Sequence, residues 1–222
     1  MADFLTTMAA ASRRRLQAAR AASGEADLVR RCSALPPAPD LAWSGFGIIA
    51  EIKRSSPSAG VLAETADAPD LAETYGDAGA SAVSVLTEPE RFGGSLEDLA
   101  DVASRMQPSG VPAMRKDFLV DPYQVLEARA AGAGGVLVIV AMLDDPNLAD
   151  LIACALEQGL FVLLEAFDEP DLERAARLAE GRAGQILMGL NSRDLRSLAV
   201  DPGRLERLAT RIPDGLSLLH IS

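Results

Sequence analysis

Two lysines mark the positions in this sequence that are best suited to acid–base chemistry. Of the 21 lysine and arginine residues, only Lys53 and Lys116 are lysines, and each ends a short apolar run, GIIAEIK or VPAMRK. Arginine can replace a solvated lysine at little cost, but its guanidinium stays charged and cannot transfer a proton. The presence of lysine rather than arginine at these two positions therefore indicates that the side chains transfer protons and do not only supply charge.

Carboxylates and an amide also stand at or near the ends of apolar runs. They are Glu51, Glu88, Glu165 and Asn191. Side chains alternate in direction along a strand, so Glu51 and Lys53 share one face. If such faces converge, they form a mouth for an anionic substrate that undergoes acid–base chemistry at a carbonyl. A charge at a strand end is more often simply solvated, and that alternative stays open for each residue taken singly.

Seven short apolar segments are expected to position these residues as buried parallel strands. They recur at intervals of about 24–34 residues, the length of a strand, a helix and two turns. Several of the stretches between them open with Asp or Ser and close on Gly, as capped helices do. No GxGxxG fingerprint follows the first strand, so the pattern predicts an α/β (β/α)8 TIM barrel, with a doubly wound sheet as the alternative. The segments are GIIAEIK, SAVSVLT, VPAMRK, GVLVIV, LFVLLE, QILMGLN and LSLLHI.

The chain is expected to divide into two parts. Residues 1–46 are predicted as an N-terminal helical extension and connector, and residues 47–222 as a barrel domain that lacks the eighth strand. A barrel truncated after strand 7 exposes unpaired edges on its first and seventh strands. We therefore expect a partner chain or self-association to cover these edges, and poor activity or stability of the chain alone.

Composition excludes several classes of function. A net charge of −11 would repel phosphate backbones and anionic lipid, so we expect no nucleic acid and no membrane partner. Cys32 and Cys154 form no CxxC pair and His220 is the single histidine, which argues against a metal site and a histidine-dependent catalytic pair. The N-terminus has no long apolar core typical of a secretory signal, so a cytoplasmic location is expected.

Five segments of the sequence closely resemble indole-3-glycerol phosphate synthase, a tryptophan-pathway (β/α)8 lyase with an extra N-terminal helical segment. They occur in the right order over nearly the whole chain, and the EIKRSSPS and RKDF motifs are highly specific. The resemblance implies closure of 1-(2-carboxyphenylamino)-1-deoxyribulose 5-phosphate to an indole with loss of carbon dioxide and water, and no cofactor. The segments are IIAEIKRSSPSAG (48–60), SVLTEPERFGGSLEDL (84–99), MRKDFLVDPYQVLEARAAGA (114–133), LLEAFDEPDLERA (163–175) and MGLNSRDL (188–195).

The resemblance also implies catalytic roles. Lys116 would be the general acid that protonates the ketone oxygen during ring closure. Lys53 would position the substrate carboxylate and phosphate and share the acid role in dehydration. Glu165 would be the acid–base carboxylate of dehydration, while Glu51 and Asn191 would orient and stabilise the charged intermediate.

Further positions are expected to bind the substrate. Phe92, Phe118 and Leu195 lie just beyond strand ends, where they could form an apolar wall for a ring. The resemblance adds Ser56 and Arg193 near the substrate, and it places Ser222 on a serine that holds the phosphate. The rest of the family's Glu-Ser-Gly motif at this strand is absent, since the chain reads LLHIS.

Two other functions are alternatives to the synthase. A truncated or degenerate synthase-like barrel would bind an anionic aromatic ligand or a partner without turnover. A sister barrel, phosphoribosylanthranilate isomerase, expects a catalytic cysteine at the end of the first strand, where this chain has Glu51. The isomerase is therefore the weaker of the two.

Overall fold

The chain folds as alternating strands and helices. The computed structural model describes residues 3–42, 45–56, 60–61, 67–182, 184–195, 197–212 and 217–221. Its helices are α1 (Phe4–Ala22), α2 (Glu25–Ser33), α3 (Ala68–Asp77), α4 (Pro89–Phe92), α5 (Leu96–Met106), α6 (Pro122–Ala130), α7 (Asp145–Glu157), α8 (Glu169–Ala179) and α9 (Arg204–Leu208). Its strands are β1 (Ile49–Ile52), β2 (Ser55–Ser56), β3 (Gly60–Val61), β4 (Ala82–Leu86), β5 (Ala113–Lys116), β6 (Gly135–Ile139), β7 (Phe161–Ala166), β8 (Ile186–Asn191) and β9 (Ser217–Ile221).

Seven of the strands form one parallel sheet in the order β1-β4-β5-β6-β7-β8-β9. Strands β2 and β3 pair antiparallel in a separate two-stranded sheet. Each strand of the large sheet lies beside the one that precedes it along the chain. A doubly wound sheet reverses its order at a switch point, and this order contains no reversal. The α/β prediction is confirmed as a parallel half-barrel, and the doubly wound alternative is wrong.

The predicted elements lie close to the observed ones. All seven apolar segments form strands of the large sheet, with starts that differ by at most about two residues, as expected for element ends. Four of the predicted caps are also present, whereas α9 begins after Gly203 with no side-chain cap from Asp201. Ser95, Asp121, Asp144 and Asp168 each accept a hydrogen bond from a backbone N–H in the first turn of the helix that follows, α5, α6, α7 and α8 respectively.

The sheet has an apolar layer on each face. On β7, Val162 and Leu164 belong to the large core between sheet and helices, whereas Phe161 and Leu163 belong to an inner cluster. This alternation has the period of two residues expected of a strand. It places Glu165, two residues beyond Leu163, on the inner face at the carboxyl end of the strand.

The N-terminal helices pack against this half-barrel. Leu5 and Met8 of α1 are buried in the inner cluster, and Leu16 packs in a third cluster with Leu28 of α2 and Tyr123 of α6. The division of the chain at residue 46 into an extension and a barrel domain stays a prediction. Among the helices that the structure describes, none has both the length and the apolar character needed to cross a bilayer.

Candidate active site

Glu51 joins the two lysines of the chain at one end of the half-barrel. Its Oε1 accepts a hydrogen bond from Lys53 Nζ at 2.7 Å, and its Oε2 accepts one from Lys116 Nζ. Glu51 lies on β1 and Lys116 ends β5, so the contact spans the intervening strand β4. The side chains of Glu51, Lys53 and Lys116 are 28%, 30% and 23% exposed, which leaves the cluster open to a ligand. The structure thus brings together three residues that the sequence placed at strand ends.

Electrostatics keep Glu51 in its charged form. Burial by itself would raise the pKa of this carboxyl, but the ammonium groups of Lys116 and Lys53 outweigh burial and lower the pKa below its ordinary value. A carboxylate that stays ionised between two ammonium groups holds them in place. It is poorly suited to donate a proton itself.

Glu165 has the opposite environment. The residue is 1% exposed near the end of β7, and its Oε1 accepts a hydrogen bond from Asn191 Nδ2 at 3.2 Å. Its Oε2 is buried with no hydrogen-bond partner in the described part of the chain. Burial raises the pKa of Glu165 and the charge of Glu51 adds to this, while Lys116 and the Asn191 hydrogen bond partly oppose it. A carboxyl with a raised pKa can exchange a proton nearer neutral pH, as acid–base catalysis requires.

The amide of Asn191 is held in one orientation. Its Oδ1 accepts a hydrogen bond from the backbone N–H of Arg193 at 2.8 Å, so Nδ2 is the atom that faces Glu165. Its backbone carbonyl accepts a hydrogen bond from Arg204 Nη1 at 2.6 Å. These contacts fix the donor that orients the buried carboxyl.

An aromatic wall is formed by residues that follow β4 and β5. The rings of Phe92, at the end of α4, and Phe118, just after β5, have centroids 6.2 Å apart. Phe4 of α1 meets Phe118 edge to face at 6.0 Å. Both Phe92 and Leu195 pack against the inner apolar cluster that contains Phe118. The structure therefore assembles the predicted wall and adds Phe4, whose only signal in the sequence was its apolar position on α1.

For three of the predicted residues, the structure shows no side-chain contact with the site. Ser56 lies in β2, but its side chain is outside what the structure describes, and so is Ser222. Arg193 is half-buried after β8, where its backbone supports Asn191. Glu88 corrects an expectation: its buried carboxylate accepts hydrogen bonds from the backbone of Glu90, Arg91 and Phe92, so it caps α4.

The residues on either side of Lys116 build a buried ion network that sequence reasoning missed. Asp117 accepts hydrogen bonds from Arg115 Nη2 at 3.0 Å, Thr87 Oγ1 at 2.9 Å, Arg15 Nη2 at 2.6 Å and the backbone N–H of Phe118 at 2.8 Å. Burial would raise the pKa of Asp117, but Arg115 and Arg15 outweigh it and lower the pKa. The alternation of charges in RKDF was the available signal, because a strand directs Arg115 away from Lys116.

Replacing Glu165 with glutamine is expected to stabilise the chain near neutral pH while removing its acid–base function. A raised native pKa means that the folded state binds the proton more tightly, so wild-type stability falls as pH rises above the ordinary pKa of 4.5. We expect Glu165→Gln to raise Tm by about 2–4 °C at neutral pH, which corresponds to ~1 kcal/mol for a chain of this size. The gain should vanish below the ordinary pKa.

Thermal melting at several pH values tests this expectation. Glu173→Gln, on the exposed side of α8, is the matched control and should leave Tm unchanged at every pH. A Glu165→Gln chain that melts below wild type at neutral pH would contradict the expected cost of keeping the buried carboxylate ionised.

The chain matches known proteins over most of its length. Residues 6–222 match the family model described as indole-3-glycerol phosphate synthase. A protein of that name from Nocardioides sp. is 49% identical over 80% of this chain and 65% of its own length, and one from Parafrankia sp. is 50% identical over 76% and 60%. A relative named indole-3-glycerol phosphate synthase 1, from Streptomyces coelicolor, is 47% identical over 84% of this chain and 68% of its own. The chain thus spans less than two thirds of the length of the first two.

A solved structure agrees with these matches at the level of the fold. A dihydrodipicolinate synthase family protein from Coccidioides immitis superposes with a TM-score of 0.50 and 18% identity, over 84% of this chain and 62% of that one. At this identity the likeness concerns the fold alone. On the family model and on relatives at 47–50% identity, the chain belongs to the indole-3-glycerol phosphate synthase family.

Proposed function

We propose that this chain closes 1-(2-carboxyphenylamino)-1-deoxyribulose 5-phosphate to indole-3-glycerol phosphate, with loss of carbon dioxide and water, in tryptophan biosynthesis. One observation carries the proposal. The Glu51 carboxylate holds Lys53 and Lys116 at the end of the sheet at which Glu165 is buried with a raised pKa. Membership of the family supports this choice of substrate and reaction.

Lys116 is the general acid of ring closure. The aromatic carbon that bears the carboxylate attacks the ketone carbon, the carbonyl electron pair moves onto oxygen, and Lys116 Nζ supplies the proton. Carbon dioxide then leaves and its bonding electrons restore the aromatic ring. The hydrogen bond to Glu51 aims the ammonium group, and a fixed proton donor lowers the barrier because no solvent has to reorganise.

Dehydration is assigned to the buried carboxyl. The new hydroxyl group leaves as water when an acid protonates it. The ring carbon between the hydroxyl-bearing carbon and the nitrogen then loses one proton to a base, and the double bond of the indole forms. Glu165 performs this exchange, Asn191 holds its Oε1, and Lys53 shares the acid role. Lys53 also positions the substrate carboxylate and phosphate by charge.

The aromatic ring of the substrate is assigned to the apolar wall. Phe92, Phe118 and Leu195 line it, and an offset or edge-to-face contact with aromatic rings favours such a ligand. Arg193, Ser56 and Ser222 are proposed to contact the substrate on the strength of the family motif. No cofactor or metal takes part in this scheme.

The wider architecture is part of the proposal. The progressive strand order supports a (β/α)8 TIM barrel, with residues 1–46 as a helical extension and the barrel domain starting at residue 47. A small phosphorylated substrate, a cytoplasmic location and a partner chain or self-association at the edges of β1 and β9 stay predictions.

Product analysis tests the proposed reaction. The purified chain is incubated with the carboxyphenylamino-deoxyribulose phosphate, and carbon dioxide and an indole product are quantified together. We expect equal amounts of both. Calorimetric binding of the substrate by a folded sample that forms neither product would instead support the synthase-like barrel that binds without turnover.

A further inference from the structure

Arg15 of α1 bridges two buried carboxylates of the half-barrel. Its Nη1 donates to Glu88 Oε1 at 3.2 Å, and its Nη2 donates to Asp117 Oδ1 at 2.6 Å. The side chains of Glu88 and Asp117 are 0% and 1% exposed, while that of Arg15 is 22% exposed. One guanidinium thus bridges two carboxylates that follow neighbouring strands, β4 and β5, and Arg115 pairs with Asp117 as well.

Each of these carboxylates also holds the backbone of one wall phenylalanine. Glu88 Oε2 accepts a hydrogen bond from the Phe92 N–H at 3.2 Å, and Asp117 Oδ1 accepts one from the Phe118 N–H at 2.8 Å. The two rings pair at 6.2 Å with 34° between their planes. Arg15 is therefore linked to each phenylalanine of the aromatic pair through a single carboxylate that hydrogen-bonds to both.

We propose, on the basis of the proposed function, that Arg15 is a positioning residue that sets the spacing of Phe92 and Phe118 and thereby the binding of the substrate's aromatic ring. The residue touches neither the reacting atoms nor the lysine cluster in the contacts described. Its effect passes through Glu88 and Asp117 to the wall.

The chemistry of the bridge requires arginine. Two carboxylates brought to one place repel each other unless a cation separates them, and a guanidinium offers a planar fork whose two nitrogens can serve one carboxylate each. Lysine presents a single point of charge and cannot reproduce this geometry. Helix α4 has only four residues, too few to hold itself in place by its own hydrogen bonds, so its cap Glu88 controls where Phe92 lies.

The neighbouring residue provides a matched control. Arg14 makes a hydrogen bond to Glu90 at 3.4 Å, and the two side chains are 65% and 52% exposed. Arg14→Ala removes the same charge from the same turn of α1 without touching the buried carboxylates.

Steady-state kinetics of wild type, Arg15→Ala, Arg15→Lys and Arg14→Ala form the first arm of the test. We expect Arg15→Ala to raise KM roughly tenfold or more, as loss of charge-assisted hydrogen bonds does, with kcat within about threefold of wild type. Arg15→Lys should raise KM less than Arg15→Ala does, and Arg14→Ala should have the KM and kcat of wild type. An unchanged KM, with kcat lowered only in proportion to the folded fraction, would show a merely structural role and overturn the proposal.

Ring contacts form the second arm and need no turnover. Nuclear Overhauser effects between labelled Phe92 and Phe118 rings should be present in wild type and Arg14→Ala and lost or weakened in folded Arg15→Ala. Ring contacts that persist in Arg15→Ala would overturn the proposal even if the kinetics change. If wild type turns over no substrate, the proposed function fails, and the ring contacts alone decide whether Arg15 sets the pair.

Discussion

Replacing Lys116 with alanine is expected to lower kcat by roughly a hundredfold to ten-thousandfold, the range that general acid catalysis contributes. The substitution removes the proton donor for the ketone oxygen and leaves Glu51 with Lys53 as its remaining ammonium partner among the contacts described. The aromatic wall stays in place, because Phe118 is fixed through Asp117 and Phe4. We therefore expect KM to change much less than kcat.

Lys53→Ala is the matched comparison for this prediction. Lys53 contacts the same carboxylate, but its proposed main task is to hold the anionic groups of the substrate, so its loss should raise KM more than Lys116→Ala does. Circular dichroism of both variants checks that they fold. A folded Lys116→Ala chain with the kcat of wild type would refute the assigned acid.

Asp117→Asn is expected to destabilise the fold by about 3 kcal/mol, the lower end of the cost of breaking a buried ion pair. The reason is that Arg115, 4% exposed, loses one charged partner and keeps Glu127 at 3.1 Å. Arg15 also loses its shorter contact. Urea unfolding at neutral pH measures the effect as a shift in midpoint at unchanged slope.

The pH dependence of this effect has a definite sign. The native pKa of Asp117 lies below its ordinary value of 3.8, so its contribution to stability is present above that value and is lost as pH falls through the native pKa. Wild type and Asp117→Asn should therefore converge in strong acid. Asp201→Asn, which removes a surface ion pair with Arg207, is the control and should leave the midpoint nearly unchanged. If the midpoints of wild type and Asp117→Asn differed by the same amount at every pH, ionised Asp117 would be excluded as the cause of the destabilisation.

The catalytic cluster was predictable from sequence because its members obey local rules. Apolar runs define the strands, alternation places Glu51 and Lys53 on one face, and parallel strands bring their carboxyl ends to one edge of the sheet. The replacement of lysine by arginine elsewhere then singles out Lys53 and Lys116. These rules need no knowledge of contacts between distant parts of the chain.

The supporting network was not predictable, since it depends on tertiary contacts. Arg15 and Asp117 are 102 positions apart, and no periodic pattern links a helix surface to a strand end over that distance. The role of Glu88 was not predicted for a related reason. Its position at a strand end is evident in the sequence, but the four-residue helix that it caps is too short to show periodicity. The raised pKa of Glu165 likewise follows from burial, which only the packed structure reveals.

Turnover of the carboxyphenylamino-deoxyribulose phosphate by wild type and Lys116→Arg, followed by indole fluorescence under single-turnover conditions, tests the central claim most directly. Arginine keeps the positive charge beside Glu51 but holds its proton at neutral pH. The account predicts indole formation by wild type and a rate at least roughly a hundredfold lower in a folded Lys116→Arg chain. Equal rates in the two chains, or no indole from folded wild type, would contradict it.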